Sequence, residues 1–538
     1  MKRLFALILL AGVFTNARAE ENVVRLTLNE AIKMAVEKNL DVRAEIYNVA
    51  QYEADVQRNR AIYDPTLTFK TSYDYSPISV TTTLSSTAYA PSSSDPSSGD
   101  IDIQPYIQTG TQTDTRTVTD TRTVILNSSL SQLIPTGGTI AAVFNNTYTT
   151  YMATTYTAVT FPNSFPTDET SPSSFLNKYW QTNAGLTFTQ PLLKNFGREN
   201  TESNISVSRL SKNASLNHFY NRLTTIVSQV RTGYFKLYSL REALKARKVS
   251  LDLAQKILTE TKTRFKAGVI PALEILNAEF GVAQREKDLN DAEKLVKDQI
   301  DVLRLLLQLP TGVDIVMVDV PQHDHFEVNE AEKIRQALNR YDILEQKKNL
   351  EVTELQARVN RNKTLPDLSL SAAAYMTSID STYLSGIEND PAWSIGLNLT
   401  YPIGNRGAEN DYRKSRLKAE QIALQIRSLE ESATNDVRAA IRAITSSYKQ
   451  IEVTDRGKAF AENRLRSFIR KNEVGLATIK EVLEVERDMI NANNDQIQAL
   501  VDYNNAITKL WTVSGELIER VGIRVDEGEA DRLYKNIQ

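Results

Sequence analysis

The chain contains no cysteine in 538 residues, so its stability rests on no disulfide and no lipidated thiol anchors it. No run reaches the roughly 18 consecutive apolar residues that a membrane-spanning helix needs. A basic surplus is missing as well: 63 Lys and Arg stand against 66 Asp and Glu, a formal charge of -3. A mildly acidic chain is a poor partner for nucleic acid. Histidine is scarce, with 3 in all. His323-Asp324-His325 lies in a polar stretch with no further ligand at metal-binding spacing, and His218 stands alone on a helical run, so neither a metal nor another cofactor is expected. There is no Gly-rich phosphate loop and no nucleophile motif between a strand and a helix, and thus no sign of an enzyme.

What is present begins with an export address. Lys2 and Arg3 form a charged start, residues 4–13 an apolar stretch too short to span a bilayer, and Ala17-Arg18-Ala19 a small-x-small cleavage site. Residues 1–19 therefore read as a signal peptide and the mature chain as starting near Glu20. The shortness of the apolar stretch argues against the alternative, an uncleaved anchor. Removing Lys2, Arg3 and Arg18 takes the formal charge from -3 to -6. An exported chain without an apolar helix can still enter a membrane as a β-barrel, whose alternating strands keep hydropathy low.

Two stretches of the chain echo one another. Leu28-Asn29-Glu30-Ala31 and Val328-Asn329-Glu330-Ala331 each open an amphipathic helix, and each helix leads to a proline, Pro65 or Pro366, followed by an alternating segment. Gly185-Leu186-Thr187-Phe188-Thr189-Gln190-Pro191 then matches Gly396-Leu397-Asn398-Leu399-Thr400-Tyr401-Pro402. Long helical sequence follows both, broken once around Gly268 and once around Gly475. Each half reads helix, strand, strand, long helix, turn, long helix. The boundaries are a first repeat over 20–309, a polar linker over 310–328, a second repeat over 329–521 and a polar tail over 522–538.

Helix length is the informative quantity. Gly197 to Gly268 is 71 residues and Gly407 to Gly475 is 68, so each segment runs about 100 Å at about 1.5 Å per residue. Leu223, Val230, Leu237, Leu244, Leu251 and Leu258 recur every seven residues, as do Ile275, Val282, Leu289, Val296 and Leu303 in the returning helix. Val437, Ile441, Ile444, Tyr448 and Ile451 step by four and three. Such heptads demand a partner helix along their length. A free-standing coiled-coil scaffold without a pore is the alternative that periodicity alone leaves open.

The strand-like segments argue against a plain rod. Residues 66–75, 124–134, 139–148 and 184–190 alternate, and a hairpin is expected over about 367–402. Tyr179, Trp180 and Trp393 stand just before strands, where an interfacial aromatic girdle is expected. The first half carries about 90 more residues than the second between matching prolines, 126 from Pro65 to Pro191 against 36 from Pro366 to Pro402. Within it, residues 76–120 are rich in Ser, Thr, Pro and Asp and read as a long solvated loop. Pro135-Thr136-Gly137-Gly138 reads as a tight turn between two further strands. These either add a membrane hairpin, the reading favoured here, or form a cap above it.

The signal peptide, the two helix-strand-strand-helix-turn-helix halves and the paired turns Gly268-Val269 and Gly475-Leu476 resemble TolC-like outer-membrane efflux ducts across nearly the whole mature chain. The resemblance implies a mainly α fold with membrane β, in which a homotrimer closes one transmembrane β-barrel in outer-membrane lipid and continues it as a long α-helical periplasmic barrel. It also implies a non-enzymatic exit duct of a tripartite efflux or type I secretion system in a Gram-negative cell, served by a periplasmic adaptor and an inner-membrane pump. The enlarged first strand region departs from the family pattern and puts a count of four strands per protomer in doubt. The resemblance places adaptor docking on Gly268, Val269, Gly475 and Leu476, where glycine permits close approach and aliphatic neighbours supply apolar contact; the alternative is that these glycines only terminate helices. Glu481 and Glu484, three apart on one helix, share a face. In a threefold assembly they form stacked carboxylate rings that favour cations, with Lys480 and Arg487 as partners that hold the mouth shut. Glu274 and Asn277 occupy the matching positions of the first half.

Overall fold

The computed structural model describes residues 23–90, 107–160, 169–384, 390–523 and 528–536. The expected signal peptide and the start near Glu20 lie outside them. In chain order the elements are β1 (Val23–Leu26), α1 (Leu28–Lys38), α2 (Leu40–Arg60), β2 (Thr66–Ala90), β3 (Ile107–Leu133), β4 (Thr139–Thr160), β5 (Glu169–Pro191), α3 (Arg198–Thr201), α4 (Ser203–Lys266) and α5 (Ala272–Leu307). There follow β6 (Asp314–Met317), α6 (Glu330–Ala337), α7 (Tyr341–Lys363), β7 (Asp367–Asp380), β8 (Asp390–Thr400), α8 (Arg406–Glu473), α9 (Ile479–Ser514), α10 (Leu517–Arg520) and α11 (Gly528–Asn536). The chain divides into a helical unit (1–56, 207–354 and 416–538) and a sheet unit (57–206 and 355–415). Each half of the sequence contributes to both, so the sequence repeats are not the compact units.

In the helical unit the heptads become cores. Leu223, Val230 and Leu237 of α4 are fully buried with Val296 and Leu303 of α5 and Ile32 of α1. Val437, Ile444 and Ile451 of α8 pack on Tyr503 and Leu510 of α9 and Ile343 of α7. Local chemistry sets the helix starts: Thr27 and Glu30 form a reciprocal capping box on α1, and the Asn329 side chain caps α6. Arg231 ties α4 to α9 by donating to Thr508 Oγ1 at 3.1 Å, with its guanidinium 4.8 Å from the Trp511 ring. Burial lowers its pKa to about 10.

Two expectations for this unit need correction. The stretch 310–328 is not merely a linker, because β6 pairs in parallel with β1, and the Asp324 carbonyl accepts from the Tyr503 hydroxyl at 2.6 Å. The stretch 522–538 is not merely a polar tail. It contains α11, whose Ala530 is buried in the core and whose Asp531 meets Lys212 at 2.8 Å. The short helix has a polar outer face and one apolar stripe, which composition averages away.

The sheet unit is a single six-stranded antiparallel sheet in the order β2-β3-β4-β5-β7-β8. Its strands are far longer than the alternating segments suggested: β2 has 25 residues and β3 has 27. Most of the stretch 76–120 is strand and not loop, apart from 91–106, which lies outside the described residues. Threonine is the reason. It is polar by composition but β-branched, and an alternating Thr sequence prefers extended backbone. The extra hairpin, β3 and β4, is inserted in the sheet between β2 and β5, and these four strands also continue past the point where β5 ceases to pair with β7. Gly137, at φ +90°, makes the turn between β3 and β4.

Period-two patterning gives the sheet two unlike faces. On β8 the residues Trp393, Ile395, Leu397 and Leu399 point one way, each 65–76% exposed, and Ser394, Gly396, Asn398 and Thr400 the other. The register carries the apolar side across β7 as Ala374, Ala372, Leu370 and Leu368 and on to Leu186 and Phe188 of β5. The apolar band ends at one row of consecutive partners: Tyr73, Val124, Tyr148, Trp180 and Asp380. Trp180 therefore lies in the aromatic row, within a strand and not before it. Tyr179 points to the opposite face, and Trp393 sits inside the band. Asn146 and Thr182, buried polar partners in the band's register, satisfy one another with a 2.9 Å hydrogen bond.

A buried ion pair joins α5 to α9. Glu486, 2% exposed, meets Arg285 at 2.7 Å and accepts from Ser250 Oγ of α4. Replacing Arg285 with Ala leaves that carboxylate buried without a counter-charge and is expected to destabilise the unit by about 3 kcal/mol or more. The double variant Arg285→Met, Glu486→Leu is expected to recover most of the loss, as read by thermal unfolding of the two proteins side by side.

Candidate functional site at the helical turns

The two long helical hairpins turn by the same device. At the end of α4 the Val269 N–H donates to Arg264 O at 3.0 Å and the Gly268 N–H to Phe265 O at 2.9 Å; at the end of α8 the Leu476 N–H donates to Lys471 O at 2.8 Å and the Gly475 N–H to Asn472 O at 3.1 Å. Both glycines have φ +75°. This is the paired 6→1 and 5→2 closure in which a left-handed residue ends a helix, and glycine enters that region without a Cβ penalty. The glycines thus terminate helices, and the same geometry leaves Val269 72% and Leu476 78% exposed. Arg264 links the turns by donating from Nη1 to Asn472 O at 3.0 Å.

After the second turn Thr478 caps α9. Its backbone N–H donates to Glu481 Oε2 at 2.7 Å and its hydroxyl to the same oxygen at 2.9 Å, while the Glu481 N–H returns to Thr478 Oγ1 at 3.3 Å. These bonds, that from the backbone N–H foremost, hold the Glu481 carboxyl below its ordinary pKa. Glu481 is therefore a capping residue as well as a surface carboxylate. Lys480, Glu481, Glu484 and Arg487 are all exposed, whereas Val482, Leu483, Val485 and Glu486 between them are buried. The shared face predicted for Glu481 and Glu484 is thus the solvent face of α9.

Lys480, Glu484 and Arg487 line one cleft of 540 Å³ between α4, α5 and α9, together with Asn277, Arg247 and Arg285; Glu481 does not reach it. Among the described residues, no ion pair within the chain engages Lys480 or Arg487. Glu274, the counterpart of Glu481, has a buried Oε2 without a partner. The neighbouring Ser250–Glu486–Arg285 node was missed in the sequence. Its signal was available, because Glu486 falls between Leu483 and Ile490 at a core position of the α9 heptad. The histidines take packing and surface roles. The His325 ring lies 5.0 Å from Tyr448, and His218 stands 3.1 Å from Glu345 and 3.8 Å from Glu45. No cluster of three potential metal ligands occurs among the described residues.

Comparison with known proteins agrees with this geometry. The pattern of the family described as Outer membrane efflux protein matches residues 136–307 and 334–516, more than half of the chain and both halves of it. The chain is 25% identical over 305 residues to the pyoverdine export outer membrane protein OpmQ of Pseudomonas aeruginosa, an alignment covering 55% of this chain and 63% of that protein. It is 23% identical over 362 residues to the outer membrane protein TolC of Vibrio cholerae, covering 64% of this chain and 79% of the relative. Among solved structures it is similar in fold to the Campylobacter jejuni CmeC outer membrane channel, with a TM-score of 0.62 at 15% identity, over 93% of this chain and 90% of that one. It is similar also to VceC of Vibrio cholerae, with a TM-score of 0.59 at 14% identity over 91% and 96%. By the match of both long helical hairpins and both of their turns, the chain belongs to the outer membrane efflux protein family.

Proposed function

We propose that three copies of this chain form the exit duct of a tripartite efflux or type I secretion system, passively conducting cargo from a periplasmic adaptor and inner-membrane pump across the outer membrane. The observation that carries this reading is that the sheet is open at both ends. Among the described residues its two edges, β2 and β8, have no strand partner, and lipid does not tolerate unpaired backbone. Three copies supply eighteen strands, a number at which barrels enclose water. The helical unit repeats the theme. Leu295 and Val302 on α5, and Leu417 with Leu424 and Val453 with Phe460 on α8, are exposed at seven-residue spacing. Such stripes are the seams of a coiled coil whose partner is another copy. A scaffold without a pore leaves the apolar face of the sheet without a medium.

In this reading the halves are two copies of one ancestral hairpin, Gly268, Val269, Gly475 and Leu476 form the adaptor-docking tips, and Glu481 and Glu484 ring the mouth. Lys480 and Arg487, in no ion pair among the described residues, meet carboxylates of the neighbouring copy and hold it shut. Reconstituted in a planar bilayer, the protein is expected to give discrete cation-selective conductance. Changing Glu481 and Glu484 together to Gln, which preserves the capping box, is expected to weaken selectivity; an unchanged reversal potential would remove both from the mouth. Charge reversal at Lys480 and Arg487 is expected to raise open probability.

The membrane face is tested by Leu397→Lys, expected to cost about 2–4 kcal/mol of insertion free energy near the bilayer midplane, against Asn398→Lys on the opposite face, expected to be tolerated. Folding yield into vesicles reads both. The Glu481 cap adds a pH dependence. Its pKa is depressed in the folded protein, so its stabilisation is complete above the ordinary value of 4.5 and is lost as pH falls through the lowered value. Hydrogen exchange at residues 478–481, corrected for intrinsic rate, is expected to accelerate on acidification in the native chain but not in Glu481→Gln.

A further inference from the structure

We propose that the outward face of the sheet binds the phosphorylated sugar headgroup of an outer-leaflet glycolipid at the edge of the apolar band, an inference that rests on reading that face as lipid-facing. Three rings gather there. Tyr148 and Trp180 have centroids 4.8 Å apart, and Trp180 and Tyr383 also 4.8 Å. Together they make an apolar platform with polar tips at the level where hydrocarbon gives way to headgroups, the arrangement that receives the C–H face of a sugar.

Cations stand one row beyond the rings. Tyr75, Arg122, Thr150 and Lys178 are consecutive partners across β2, β3, β4 and β5, so Arg122 and Lys178 flank Thr150 on the same face, about 10 Å apart by strand spacing. Arg122 is positioned, not exhausted. It pairs with Asp120 at 3.0 Å and lies 5.8 Å from the Tyr75 ring, yet its side chain is 56% exposed, and a guanidinium has five donors. Lys178 is exposed and in no ion pair among the described residues.

At this level the positive charge is confined to one side. At the same level the opposite face presents the row Asp74, Thr123, Thr149 and Tyr179, with no cation and no ring cluster. Cations placed only on the lipid side, directly beyond an aromatic platform, fit a phosphate on a saccharide held in the outer leaflet and not a solute passing through the lumen.

The test uses the full chain in phosphatidylethanolamine nanodiscs that contain either bis-phosphorylated lipid A or its dephosphorylated form, with retained glycolipid per protomer read by native mass spectrometry. The native chain is expected to retain the phosphorylated lipid about tenfold better, and the Arg122→Gln, Lys178→Gln double variant to lose that preference. Lys178→Arg is expected to keep it, and Trp180→Ala to weaken retention of both lipids. Equal retention of the two lipids by the native chain, retention by the double variant equal to native, or displacement by millimolar inorganic phosphate would each overturn the proposal. Conductance of the same samples separates the two readings. A protein that conducts but shows no lipid preference refutes this site alone, and one that retains lipid but never conducts refutes the duct alone.

Discussion

A backbone N–H or carbonyl without a partner in hydrocarbon costs several kcal/mol, and that single constraint organises this molecule. The six-stranded sheet has an apolar face suited to lipid and two edges that no part of the described chain covers. Within one protomer those edges have no solution. The proposed closure by further copies would remove them, and the exposed seven-residue stripes on α5 and α8 are what the same arrangement would cover in the helices.

Local chemistry fixes the geometry of the helical hairpins. Both hairpins end in the same left-handed glycine closure, so the tips have one defined backbone. The buried node of Ser250, Arg285 and Glu486 binds α9 to α4 and α5 a few turns from those tips. A buried ion pair is a weak source of net stability but a strong penalty on misalignment, because any slip strands a charge. Placed in an otherwise apolar heptad, it fixes the register of three helices.

How much of this was legible depended on whether the signal was local. The heptads named the core of α4 and α5 where the helices pack within the chain, at Leu223, Val230, Leu237, Val296 and Leu303, whereas Leu251, Ile275 and Leu289 of the same repeats are only half-buried. The turns at Gly268 and Gly475 were legible because glycine after a long periodic run marks a helix end. The extent of β2 and β3 was not, since Thr, Ser and Asp lower hydrophobicity in loops and in alternating strands alike. The pairing of β1 with β6 joins two short segments nearly three hundred residues apart, and no local pattern announces it. At the site, the exposure of Glu481 and Glu484 was readable from helical spacing. The commitment of Glu481 to Thr478 required recognising Thr-x-x-Glu as a capping box.

Above the aromatic row β3 presents Thr115, Thr117, Thr119, Thr121 and Thr123 on the face opposite the lipid band, and Thr117 and Thr155 bring their hydroxyl oxygens to 3.3 Å. Hydroxyls offer both donor and acceptor at every step and hold no fixed charge. If this face lines the proposed duct, a threonine column of this kind would neither concentrate nor repel ions, and discrimination by valence would fall to charged positions elsewhere along the path.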